Sequence, residues 1–127
     1  MIPKFRAWLK KEQKMDNYID HISWLEDELY CIGDGITYMV SAEDLVLMQS
    51  TGLKDKNDKE IFEGDILDYR GRKALVRWHG SYASFIYRFV DEPHKQKAEW
   101  KPLYLAYMKC EIIGNIYENP EFLEDKK

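Results

Sequence analysis

The chain has 127 residues, 45% of them hydrophobic in type, and a formal net charge of −4. That balance argues for one compact domain, or two small lobes with a real core, and against intrinsic disorder. A pI near 5.4 runs against nonspecific phosphate binding, which usually needs a basic balance. No apolar run approaches the ~18 residues of a membrane span. Met1-Ile2-Pro3-Lys4-Phe5-Arg6 lacks the apolar core of a signal peptide. A cytoplasmic protein without a membrane partner is therefore expected. The less usual figure is 14% aromatic, from 9 Tyr, 5 Phe and 4 Trp.

Lys4-Phe5-Arg6-Ala7-Trp8 alternates and predicts a strand. Lys10 to Lys14 reads as a hairpin loop, with Met15 opening the returning strand. Residues 18–32 are ambiguous. Ile19, Ile22, Leu25 and Leu29 fall near helical spacing with Gly33 as a stop, while a strand through Tyr30 and Ile32 fits almost as well. Gly33-Asp34-Gly35 is a turn before a strand at Ile36-Thr37-Tyr38-Met39-Val40. Ser41-Ala42-Glu43-Asp44 has the form of a capping box, although Leu45-Val46-Leu47 also suits a strand. Residues 51–59 form a polar turn region in which Asn57-Asp58 tolerates positive φ.

Beyond this, Glu63-Gly64-Asp65 opens a strand at 66–69, and Arg70-Gly71-Arg72-Lys73 is a hairpin turn. Residues 74–79 return with Ala74, Val76 and Trp78 on one face and Leu75, Arg77 and His79 on the other. Residues 84–90 alternate again, with Phe85, Tyr87 and Phe89 against Ile86, Arg88 and Val90. A polar excursion spans 91–102. Strands are predicted at 103–108 and 110–117, Asn119-Pro120 ends the last of them, and Glu124-Asp125-Lys126-Lys127 reads as a frayed tail. Five short strands between 65 and 117 predict a small, strongly bent antiparallel barrel.

Three blocks carry a family resemblance. They are Lys4-Phe5-Arg6-Ala7-Trp8, then Met48-Gln49-x-Thr51-Gly52-Leu53-Lys54-Asp55-Lys56-Asn57-x-Lys59-Glu60-Ile61-Phe62-Glu63-Gly64-Asp65-Ile66, and Glu111-Ile112-Ile113-Gly114-Asn115-Ile116-Tyr117-Glu118-Asn119-Pro120-Glu121. They resemble the YopX family, small proteins of bacteriophages and prophages, in the right order and over essentially the whole chain. Leu9 stands where that family commonly has Asp, and Asp58 where it usually has Gly. The resemblance implies a phage-encoded protein acting inside the bacterial cell. It also implies a fold that is α+β or mainly β with an SH3-like barrel portion, and a homo-oligomer. It implies no activity.

The expected architecture is α+β and mainly β. An N-terminal hairpin and helix portion over 1–47 precedes a small SH3-like antiparallel barrel over 48–127, as one co-folded unit. The family-motif residues Trp8, Gln49, Thr51, Gly52, Lys54, Asp55, Gly64, Asp65, Gly114, Asn115 and Tyr117 read mainly as structural. A functional alternative makes Gln49, Thr51, Lys54 and Asp55 a polar recognition loop. Gly114 inside a strand marks a bulge or a close backbone approach.

Residues 69–90 are the most suggestive segment. They hold no acidic residue but carry Arg70, Arg72, Lys73, Arg77 and Arg88, interleaved with Tyr69, Trp78, Tyr82, Phe85, Tyr87 and Phe89. Cations beside stacking rings are what a single-stranded nucleic-acid surface requires, so Arg70, Arg72, Lys73, Arg77, Trp78, Tyr87 and Arg88 are the candidate macromolecule-binding set. The competing reading puts the rings in the barrel and the charges in solvent.

No catalytic constellation, cofactor motif or metal-ligand spacing is legible. His21, His79 and His94 are scattered, and Glu26-Asp27-Glu28 reads as a solvated face. Without a secretion signal, Cys31 and Cys110 are expected to be reduced, with one long-range disulfide as the alternative. The favoured expectation is a non-enzymatic protein that self-assembles and binds a host or phage protein. Single-stranded nucleic acid is the second choice of partner, since net charge opposes it.

Overall fold

A computed structural model gives the architecture and describes residues 4–19, 21–25, 28–33, 36–90 and 101–123, of which positions 18, 21–25, 28–33, 36–40, 42 and 82 are described by their backbone only. The chain is mainly β, with antiparallel pairing throughout the described strands, and divides into two units, Met1–Ser50 and Thr51–Lys127. No helix among the described residues is long and apolar enough to cross a membrane.

In the first unit, β1 (Phe5–Leu9) and β2 (Lys14–Ile19) form the expected hairpin. Its turn contains neither Gly nor Pro. Gln13 takes the left-handed conformation (φ 53°), and its side-chain amide donates to the Lys10 carbonyl at 2.8 Å. β6 (Leu45–Lys54) pairs antiparallel to β1, with Leu9 opposite Leu45 and Ala7 opposite Leu47. This register gathers Ala7, Ile19 and Leu45 into a small core, against which Phe5, Leu9 and Leu47 pack.

The helix over 18–32 does not form. β3 (His21–Leu25), β4 (Glu28–Gly33) and β5 (Ile36–Ser41) make an antiparallel meander in which Ile22 lies opposite Cys31 and Trp24 opposite Leu29. The segment is rich in β-branched and aromatic residues, which lose rotamer freedom in a helix and suit a pleated surface. The helical spacing of four aliphatics was too few contacts to outweigh that preference. The expected capping box is instead a single 3-10 turn, Ala42–Asp44, without a side-chain cap bond.

β6 crosses the division, and residues 51–54 begin the second unit, where they turn back into β7 (Glu60–Phe62). There follow β8 (Asp65–Tyr69), β9 (Arg72–His79), β10 (Ser84–Phe89), β11 (Lys101–Pro102) and β12 (Cys110–Asn115). They form a curled sheet in the order β11-β10-β9-β8-β12. The β8–β9 hairpin closes on Arg70 and Gly71, both at positive φ (51° and 86°), as a tight primed turn demands. The inner face collects Leu67, Ala74, Val76, Tyr87, Phe89 and Cys110, with Ile61, Leu103 and Ala106 completing the core.

The strand expected at 103–108 is absent. Two successive 3-10 turns, Leu103–Leu105 and Tyr107–Lys109, take its place. A 3-10 turn repeats every three residues, so Leu103 and Ala106 point inward and are buried. Tyr104, Leu105 and Met108 are left outside, 60%, 69% and 70% exposed. The excursion at 91–100, Glu26-Asp27, Asp34-Gly35 and the tail beyond 123 lie outside the described residues.

Candidate functional site

The central motif works through side chains that bond backbone. Gly52 sits at φ 77°. Thr51 Oγ1 donates to the Ile61 carbonyl (2.8 Å) and accepts from Leu53 N–H (3.1 Å), tying β6 to β7. Asp55 is buried. Its Oδ1 accepts from Asn57 N–H and Lys59 N–H, both at 2.9 Å, which shapes the turn. Its Oδ2 accepts from Ile112 N–H at 2.9 Å, which fastens that turn to β12. Asp58 occupies the left-handed region at φ 65°, so Asp serves where glycine would be the easier residue. Lys54 is solvent-exposed and pairs with Asp58 at 3.7 Å, a contact worth little on a surface. Gln49 is exposed on β6.

Gly64 and Asp65 open β8 as expected. Gly64 has φ 88°, its N–H reaches the Val76 carbonyl, and Ile116 N–H donates to its carbonyl. Asp65, buried, accepts from Phe62 N–H at 2.8 Å. In the closing block the β8–β12 register slips between Ile112 and Gly114, which is the expected bulge. Asn115 Oδ1 accepts from Tyr117 and Glu118 N–H (3.0 and 2.8 Å), and Asn119 Oδ1 accepts from Asn115 N–H (3.2 Å). Gly114 lies under Asn119: a Cβ there would stand 2.8 Å from Asn119 Cγ and 3.1 Å from the Phe122 ring. Gly114→Ala is therefore expected to cost about 1–3 kcal/mol through overpacking, read as a lower denaturation midpoint. Trp8 is buried in β1 beside Ala7.

Residues 69–90 are divided by the pleat. Phe85 lies opposite Trp78, Tyr87 opposite Val76, and Phe89 opposite Ala74, so the rings share the inner face. Tyr69 and Tyr87 stack at 6.0 Å, Phe89 meets both edge-on, and Phe85 meets Trp78 edge-on at 5.0 Å. Only the Trp78 end of this row is open, at 45% exposure. Arg72 falls on the same face, its guanidinium 3.7 Å from the Phe89 ring centre, and Lys101 lies 5.1 Å from that ring. Arg70, in the turn, lies over Tyr69 at 5.6 Å. Lys73, Arg77 and Arg88 face the other way, since Lys73 pairs with Asp68, Arg77 with Ile86 and Arg88 with Leu75. There Lys73 covers the Phe122 ring at 5.0 Å, and Arg88 borders a cavity of about 180 Å³ with Leu75, Phe89, Val90 and Leu123. The seven candidate binding residues thus do not share one surface.

Cys110 is a free, buried thiol that donates to the Ala106 carbonyl at 3.3 Å. Burial, then the nearby Asp68 and Asp55 carboxylates, push its pKa up to about 11, so it stays a thiol at neutral pH. The Cys31 side chain lies outside the described residues. Burial likewise raises the Tyr87 phenol, with Tyr69 and Cys110 adding to the effect. Among the described residues no group of three His, Cys, Asp or Glu is placed to hold a metal ion. The exposed apolar turns at 103–109 had no signal in the sequence beyond their apolar residues, because type alone does not say which of them point outward.

With this geometry in view, the family model described as "YopX protein" matches residues 4–124. The chain belongs to the YopX family. The crystal structure of protein EF1440 from Enterococcus faecalis is similar to it, with 32% identity and a TM-score of 0.66 over 98% of this chain and 99% of that one. No curated protein matches. In YopX terms, the central block of the motif is here a set of backbone fasteners, with Thr51, Asp55 and Asp65 each bonding main-chain groups.

Proposed function

We propose that this YopX protein is a non-enzymatic phage or prophage accessory protein of the bacterial cytoplasm, acting by homo-oligomerisation and by protein binding. One observation carries the reading. Tyr104, Leu105 and Met108 stand 60%, 69% and 70% exposed within five residues, on turns pinned from below by buried Leu103 and Ala106. Scattered apolar residues on a surface need no explanation, but a cluster of large ones marks an interaction site. Tyr and Met are also enriched at interfaces relative to other surface. In this reading the curled sheet is an SH3-like barrel portion that serves as a rigid scaffold for the turns. Single-stranded nucleic acid has less to hold, because Tyr69, Phe85, Tyr87 and Phe89 lie in or against the core, Trp78 alone of the described rings on these strands stands open, and the cations are divided between two faces.

Light scattering tests the reading. The wild type is expected above the monomer mass of 15.2 kDa, and Leu105→Glu with Met108→Glu is expected to bring it down to that mass. Both sites are exposed in the single chain, so the variant should remain folded and unfold cooperatively as a monomer, losing only the stability that assembly supplies. A wild type that scatters as a monomer overturns self-assembly.

A further inference from the structure

The two edges of the curled sheet are treated differently. β11 is two residues long and ends in a proline, features that blunt an edge. β12 is six residues long and apolar at Cys110, Ile112 and Ile113, with Glu111 and the bulge after Ile112 as its blunting features. Its outward row is occupied by the motif turn. Lys56 N–H donates to the Cys110 carbonyl (2.9 Å), and Asp55 Oδ2 accepts from Ile112 N–H (2.9 Å). The carboxylate stands where the carbonyl of a neighbouring strand would be. Between those two bonds, Glu111 meets Asn57 Nδ2 (3.3 Å) and Lys56 Nζ (3.8 Å).

We propose that the 55–59 turn is a guard over β12, and that the covered edge is a latent pairing surface for a second copy of this chain. The occupant follows from the row itself. It offers one acceptor, Cys110 O, and one donor, Ile112 N–H, symmetrically about Glu111. Two copies related by a two-fold axis at Glu111 satisfy both groups reciprocally, as an antiparallel pair. The same symmetry sets the two Glu111 carboxylates face to face, and like charges directly opposite oppose pairing. Lys56 relieves Glu111 only while the guard is closed.

The test uses the full chain carrying Leu105→Glu and Met108→Glu, so that association through the exposed turns is separated from association through β12. Asp55→Asn leaves one oxygen for Asn57 and Lys59 but sets an amide NH2 against Ile112 N–H, which opens the guard. Lys56→Pro removes the bond to Cys110 by an independent route. Each is expected to double the mass by light scattering. Glu111→Gln added to either should strengthen the dimer, and Ile112→Pro should abolish it. Hydrogen exchange at the Ile112 amide reports whether the guard has opened. A folded variant with fast exchange at Ile112 and an unchanged mass overturns the proposal.

Discussion

Replacing Asp55 with alanine is expected to lower stability by about 3–5 kcal/mol. The carboxylate accepts three backbone N–H bonds, from Asn57, Lys59 and Ile112. Bonds to a charged acceptor are individually worth about 1.5–3 kcal/mol, and each buried donor left without one bears its own desolvation cost. A small domain has only about 5–15 kcal/mol in total, so the loss approaches the margin for folding. Chemical denaturation of Asp55→Ala beside Asp55→Asn measures it, with asparagine the milder change. A shift under about 1 kcal/mol for alanine would mean that water replaces the carboxylate without cost.

Phe89→Ala is expected to cost about 3–5 kcal/mol, the usual range for removing a buried ring. Phe89 packs edge-on against Tyr69 and Tyr87 and has the Arg72 guanidinium over its outer side. Trp78→Ala, at the open end of the same row, should cost under half as much, since part of that ring is already in water. The pair of measurements asks whether the aromatic row is core or a stacking surface. Comparable and small losses at both positions would favour the surface.

Part of this was legible in the sequence. Alternation in 74–79 and 84–90 separates Phe85, Tyr87 and Phe89 from Ile86, Arg88 and Val90, because the period of a strand is exactly two. It could not say which face was wet. That needed the pairing of Tyr87 with Val76 and of Phe89 with Ala74. Gly64 and Asp58 were legible because positive φ favours few residue types, and Gly114 because a glycine inside a strand marks a bulge or a close approach. Asp55 was not. Its decisive partner, Ile112, lies 57 residues away, and a polar residue in a polar loop reads equally well as a recognition site. The 18–32 segment read ambiguously because aliphatics at helical spacing suit strands as well: Ile19 ends β2, and Ile22, Leu25 and Leu29 fall in the meander. In 103–108, an apolar run carries no mark distinguishing a repeat of two from a repeat of three.

The reach of that Asp55 bond has a consequence in time. Asn57 and Lys59 are local, so the turn can form early. The bond to Ile112 must wait until β8 and β9 have formed and β12 has docked, because loop closure over so long a span is unfavourable until other contacts repay it. The lock then belongs to the last step of folding rather than to its nucleus. Its loss should leave the refolding rate nearly unchanged and appear almost wholly as faster unfolding. On this account the carboxylate sets how long the native second unit persists, and has little say in how quickly it is reached.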